Sequence, residues 1–348
     1  MKNLEKLVRP HLLNLNPYSS ARDDFKGSAE VYLDANENPF GSIPSGSFNR
    51  YPDPLQLKIK AELGAIKKVS PNQIFLGNGS DEAIDLLIRA FCEPASDEII
   101  ILPPTYGMYK VCADINHVKT VEVPLTSDFQ IDLTGIKNAI TARTKLIFVC
   151  SPNNPSGNLV DREAIVELAS NFDGLVIVDE AYIDFTDKKS LIVELNKFDN
   201  LIILQTFSKA WGLAAIRLGM AFGDTEIIQL LNKIKPPYNV NESTQKLALE
   251  ALDQTPKKDL IVEKLLIERT RISNTLASLR SVECVFPSDA NFLLVRFHDA
   301  LSTDKYLKEN GIVIRNRSSQ LHCQNCLRIT IGTPAENDRL LQVLTEMT

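Results

Sequence analysis

The run Leu175-Val176-Ile177-Val178-Asp179-Glu180-Ala181-Tyr182 decides the fold class. Its first four residues are apolar and mostly β-branched, with no polar alternation. That is the pattern of a strand covered on both faces, as in a parallel sheet. The run then ends on a carboxylate. Burying Asp179 at a strand end is costly unless a cation or a strong donor pairs with it. A protonated heterocycle nitrogen would serve, and so would a nearby arginine. Tyr182 follows three residues on.

Outward from this strand, short β-rich runs alternate with helical patterns between about residues 70 and 235. Strands are expected at 73–76, 98–102, 118–123, 145–150, 175–178, 201–205 and 216–222, with helices such as 81–91 and 162–171 between them. Such alternation predicts an α/β fold built on a mainly parallel sheet with right-handed crossovers. After Pro236-Pro237 the pattern changes to one long helical stretch, 242–279, and then to strands at 282–286, 292–297, 311–315 and 327–331 with helices at 303–309 and 335–346. The 348 residues exceed one compact core. We therefore expect a large α/β domain over 46–240 and a small α+β domain made of 241–348 with the N-terminal segment 1–45 packed on it.

Bulk properties exclude several classes. A net charge of −6 and the absence of a basic stripe argue against nucleic acid as a partner. No apolar stretch approaches membrane-spanning length, and Met1-Lys2-Asn3-Leu4-Glu5-Lys6 lacks an apolar signal core, so a cytoplasmic location is the expectation. Of the six cysteines only Cys323 and Cys326, beside His322, have ligand-like spacing. A zinc site needs a second pair, so no metal is expected. The chain also lacks a P-loop, a nucleophile elbow and a His-Glu-x-x-His helix.

Four motifs remain, each after an expected strand. Gly77-Asn78-Gly79-Ser80-Asp81-Glu82-Ala83 opens a helix, where free N–H groups favour an anion such as phosphate or, more plainly, a tight capped turn. Ser151-Pro152-Asn153-Asn154-Pro155-Ser156-Gly157 is a stiff loop at a strand's carboxyl end, able to present an amide to a ligand. The aspartate–tyrosine run is the third. In the fourth, Thr206-Phe207-Ser208-Lys209-Ala210-Trp211-Gly212, a lysine in a dry pocket can become a nucleophile toward a carbonyl, while Ser208 and Arg217 suit a phosphate. On one sheet, these side chains can converge along its carboxyl edge.

With these motifs the chain resembles the aminotransferases of the aspartate aminotransferase fold, fold type I of the pyridoxal-phosphate enzymes. Asn16-Pro17-Tyr18-Ser19-Ser20-Ala21-Arg22, Ala35-Asn36-Glu37-Asn38-Pro39, Arg50-Tyr51-Pro52-Asp53-Pro54, Pro103-Pro104-Thr105-Tyr106-Gly107-Met108-Tyr109 and Cys326-Leu327-Arg328-Ile329-Thr330-Ile331-Gly332-Thr333 extend the resemblance over nearly the whole length, and the first and third point to its histidinol-phosphate branch. The resemblance implies a seven-stranded, mainly parallel sheet and pyridoxal 5'-phosphate held covalently by Lys209. It implies that Asp179 keeps the ring nitrogen protonated, that Tyr182 and Asn154 bond the ring hydroxyl, and that Tyr106 stacks on the ring. Gly79, Ser80, Asp81, Ser208 and Arg217 are then expected at the cofactor phosphate, with Tyr51 reaching in from the other subunit of a homodimer. For substrate, Tyr18, Tyr51, Arg315 and Arg328 are implied to bind the phosphorylated amine L-histidinol phosphate and the donor pair glutamate/2-oxoglutarate. Aromatic aminotransferases, threonine-phosphate decarboxylase and a non-catalytic sensor share the scaffold. Ser156, Trp211 and Ala215 depart from the usual threonine, phenylalanine and glycine, and none removes a reacting group.

Overall fold

The computed structural model describes residues 4–18, 29–44 and 46–347. Ser19, Ser20, Ala21 and Arg22 of the N-terminal motif lie outside the described residues.

Seven strands form the large sheet: β1 (Ile74–Asn78), β2 (Glu98–Ile101), β3 (Lys119–Glu122), β4 (Thr144–Cys150), β5 (Leu175–Asp179), β6 (Leu201–Thr206) and β7 (Leu218–Phe222). Their order is β1-β7-β6-β5-β4-β2-β3, with β7 antiparallel to both neighbours and every other pair parallel. The expected α/β architecture is thus present. The unbroken apolar runs have a direct cause. In β5, Val176 and Val178 enter the core on one face, while Leu175 and Ile177 enter the core on the other. β6 divides in the same way, Ile203 against Ile202 and Leu204. With helices on both faces, no position is left for a polar side chain until the strand ends.

The second sheet is antiparallel, β10-β11-β9-β8, from β8 (Val282–Val285), β9 (Phe292–Phe297), β10 (Arg315–Asn316) and β11 (Cys326–Thr330). Helices Ala300–Glu309 and Pro334–Glu346 contribute Leu307, Leu340 and Val343 to its core.

Three expectations need correction. The stretch 242–279 is two helices, Glu242–Leu252 and Thr255–Ala277, and Pro256 opens the second, where its missing N–H costs nothing. The strand expected at 311–315 shortens to β10, because only Arg315 and Asn316 find ladder partners on β11. The described start of the N-terminal segment packs on the large sheet, not the small one: Val8 and Leu12 enter a core of the large sheet, and Lys233 Nζ donates to the carbonyls of Leu12 and Leu13. Among the described residues no helix is long and apolar enough to cross a membrane.

One close approach positions the carboxyl edge. Gly219 of β7 faces the start of helix Ser80–Phe91, and a Cβ there would lie 2.1 Å from Ser80 N and 2.3 Å from Gly79 C. Both are backbone atoms and cannot swing aside. Gly219→Ala should therefore destabilise the fold by about 3 kcal/mol or push that helix start off the sheet. Urea unfolding measures the first, and a midpoint equal to wild type would contradict the close approach.

Candidate active site

Gly79 takes φ +78, a conformation L side chains rarely adopt, and it caps helix Ser80–Phe91 without any side-chain hydrogen bond. The first N–H groups of the helix stay available to an anion. A Cβ on Gly79 would sit 2.7 Å from Arg217 Nη2. Arg217 itself adopts φ 54, its carbonyl accepts from Gly79 N at 2.8 Å, and its Nη2 lies 3.4 Å from Asp81 Oδ2. Across the turn from β6, Ser208 N donates to Thr206 Oγ1 at 3.1 Å, and Lys209 follows. Phe207 is fully buried beneath them and anchors the loop.

Gly79, Ser80, Asp81, Tyr106, Asn154, Asp179, Tyr182, Ser208, Lys209 and Arg217 line a single pocket. Asp179 forms its floor. Its carboxylate accepts from Tyr109 Oη at 2.8 Å and from Ala181 N at 3.1 Å, and no ion pair reaches it among the described residues. Burial pushes its pKa up to about 6, against the opposing pull of the Tyr109 hydroxyl and the Ala181 N–H. A buried carboxylate with two neutral donors and no cation is suited to a protonated ring nitrogen. Burial and, after it, the Arg328 guanidinium lower the pKa of Lys209, although its side chain stays open to the pocket; its Nζ lies 5.5 Å from the Tyr182 ring centroid. Tyr106 donates to Asp81 Oδ1 at 3.1 Å, and burial raises the pKa of both tyrosines.

Asn154 links this pocket to the small sheet. Arg328 Nη1 donates to Asn154 Oδ1 at 2.5 Å, so the amide N–H₂ is the half left for the pocket. The loop is pinned by Asn153 Nδ2, which donates to Pro104 O (2.9 Å) and Ser156 Oγ (2.8 Å), a role that the serine hydroxyl fills without threonine's methyl. Arg315 stands directly opposite Arg328 in the β10–β11 ladder.

Two expected residues are elsewhere in this chain. Tyr51 is 51% exposed and stacks on Tyr238 at 4.4 Å in a separate groove with Glu37 and Arg50. Tyr18 is 76% exposed and borders another cavity, with Arg9, Asn16 and Lys233. Conversely, Tyr109, the last residue of the Pro103–Tyr109 motif, makes a contact with Asp179 to which the sequence assigned no role. It lies three residues after Tyr106, in the first turn of helix Met108–Ile115, and is fully buried, stacked on Phe148 at 4.8 Å. Cys323 and Cys326 are buried in a core, and among the described residues no group of three or more metal-ligating side chains occurs.

Residues 12–344 match the family model described as aminotransferase class I and II. The chain belongs to that family. Among its relatives is a histidinol-phosphate aminotransferase from Cytophaga hutchinsonii, 52% identical over 98% of each chain. One from Christiangramia forsetii is 54% identical over 99% of this chain and 98% of its own. Among solved structures, the histidinol-phosphate aminotransferase from Sinorhizobium meliloti in complex with pyridoxal-5'-phosphate superposes with a TM-score of 0.79 at 26% identity, covering 90% of this chain and 89% of that one. Membership makes this chain an aminotransferase, and the pocket's lysine, carboxylate and anion cradle fit the cofactor of such enzymes.

Proposed function

We infer that the chain is a pyridoxal-phosphate-dependent aminotransferase that moves the amino group of L-histidinol phosphate to 2-oxoglutarate, giving imidazole acetol phosphate and glutamate, a step of histidine biosynthesis. The observation that carries this reading is identity above one half, over almost the full length, to enzymes of that name.

When bound, pyridoxal phosphate supplies an aldehyde for covalent attachment and an electron-withdrawing ring that accepts the electron pair left as the substrate Cα loses its proton. Lys209 would hold that aldehyde carbon, and the lowering of its pKa by burial and Arg328 raises its share of neutral amine. With its amine free, Lys209 would hold and move the proton at the substrate Cα. Asp179 would keep a proton on the ring nitrogen. The Asn154 amide and the Tyr182 hydroxyl would bond the ring oxygen. The N–H groups at Ser80 and Asp81, with Ser208 and Arg217, would hold the cofactor phosphate. Arg328 and Arg315 would receive the phosphate of one substrate and the carboxylate of the other.

The working unit in this reading is a homodimer with shared active sites. Leu33, Phe40 and Ile43 are 86, 96 and 102% exposed on the same arm as Tyr51, apolar area that a second copy would cover. Tyr51 would then enter the partner's pocket. Tyr18 would join the substrate phosphate from the N-terminal segment. All six cysteines are free, in keeping with a cytoplasmic location.

Purified protein supplied with pyridoxal phosphate, L-histidinol phosphate and 2-oxoglutarate should form glutamate and release no carbon dioxide. Absence of glutamate would overturn the reading, and carbon dioxide release would redirect it to a decarboxylase.

A further inference from the structure

Arg317 lies one residue past the end of β10, and its backbone hydrogen bond to Cys326 carries the β10–β11 register one step further, which puts Arg315 and Arg317 on the same face of the small sheet. Arg315 is the ladder partner of Arg328, so the three guanidiniums share the face from which Arg328 reaches Asn154. The backbone holds this placement, since Arg317 N donates to Cys326 O at 2.8 Å. Arg317 is half-buried, and its Nε is buried without a hydrogen-bond partner. The turn that follows is closed by Gln320 N donating to Arg317 O at 2.9 Å, and it carries Ser318 Oγ, also buried without a partner.

Electrostatically the three arginines form one group. Burial, then repulsion from Arg328 and Arg315, holds Arg317 below the ordinary arginine pKa, and Arg317 and Arg328 both act on the Tyr182 phenol at the pocket wall. Among the described residues none of the three is paired with a carboxylate. Gathering like charges without a counter-ion is unfavourable in the empty protein and becomes favourable when a multiply charged anion arrives. A carboxylate carries one charge and is satisfied by a single bidentate arginine. A phosphate monoester brings a charge between about −1.5 and −2 and three acceptor oxygens.

We propose that Arg317 binds the phosphate end of the substrate and sets the preference for a phosphorylated amine over an amino acid. The proposal rests on the reading of this pocket given above and adds the residue that distinguishes its two substrates. Arg328 serves both substrates, and Arg317 serves the phosphate group alone.

The test is calorimetric titration of the cofactor-loaded wild type, Arg317→Gln and Arg317→Lys with two unreactive ligands, an alkyl phosphate monoester and glutarate. Arg317→Gln should weaken the phosphate monoester about 10- to 100-fold, the loss of a hydrogen-bonded charge, and glutarate by less than about 3-fold. Arg317→Lys keeps the charge without the fork and should lose about 3- to 10-fold for the phosphate alone. Should Arg317→Gln not fold, the lysine variant carries the comparison. Equal weakening of both ligands, or of neither, overturns the proposal. If the contrast holds but wild type forms no glutamate from histidinol phosphate, the anion site stands and the assigned substrate falls.

Discussion

Lys209→Ala should reduce turnover by about 10⁴-fold or more if, as proposed, one side chain both attaches the cofactor and moves the Cα proton. The loss has to be separated from collapse of the pocket. Lys209 hangs from a turn that is built without its side chain: Leu213 N donates to Phe207 O at 3.1 Å, Gly212 N to Lys209 O at 3.0 Å, and Phe207 is buried. The variant should therefore fold normally and still accept pyridoxal phosphate through Arg217, Ser208 and the helix start. Borohydride treatment followed by mass spectrometry of the digest gives the second readout. Wild type should fix the cofactor's mass on the peptide containing Lys209, and the variant on none. Retention of more than about a hundredth of wild-type turnover would remove Lys209 from its assigned role.

For Asp179→Asn the expected loss is about 10²- to 10⁴-fold in turnover with cofactor still bound, since an amide cannot keep a proton on the ring nitrogen. The substitution also has a signature in the cofactor-free protein. In the fold the Asp179 pKa is raised to about 6, above the ordinary aspartate value of about 3.9. The folded state thus holds that proton more tightly than the unfolded chain does. Below about pH 4 both states are protonated and there is no penalty. As pH rises from about 4 to 6 the unfolded chain ionises first, and the fold loses about 3 kcal/mol from this group. On going from pH 4.5 to pH 7 the unfolding free energy of the asparagine variant should gain more, or lose less, than that of wild type. An unchanged difference would mean that the carboxylate is not held as described.

Local signals carried most of the large sheet. Residues such as Val176 and Ile177 are apolar because each faces a core, so the strands stand out without any knowledge of their neighbours. The motif residues were legible for a related reason: Gly79, Asn154, Asp179 and Lys209 each sit at or shortly past a strand end, and a parallel sheet brings such ends to one edge. What escaped depends on tertiary pairing. Tyr109 is distinguished from any other buried aromatic only by the Asp179 carboxylate beside its hydroxyl. Arg317 differs from a solvated charge only through its position across from Cys326 and beside Arg328. The extent of β10 was equally hidden, because a strand exists only as far as its partner does. Tyr18 marks a different limit, since the pocket it was expected to join is not adjacent to it within a single chain.

Because successive residues of β5 belong to two different cores, this strand has no spare register. Inserting or deleting one residue between Leu175 and Asp179 would exchange the two side-chain sets between cores shaped for other atoms and turn the pocket's floor outward. Length variation along the chain should accordingly be confined to connections such as the turn after Arg317, while the spacing within this strand behaves as a fixed ruler. In a library of single-residue insertions, survivors should be missing from 175–179 even where every inserted residue is itself apolar.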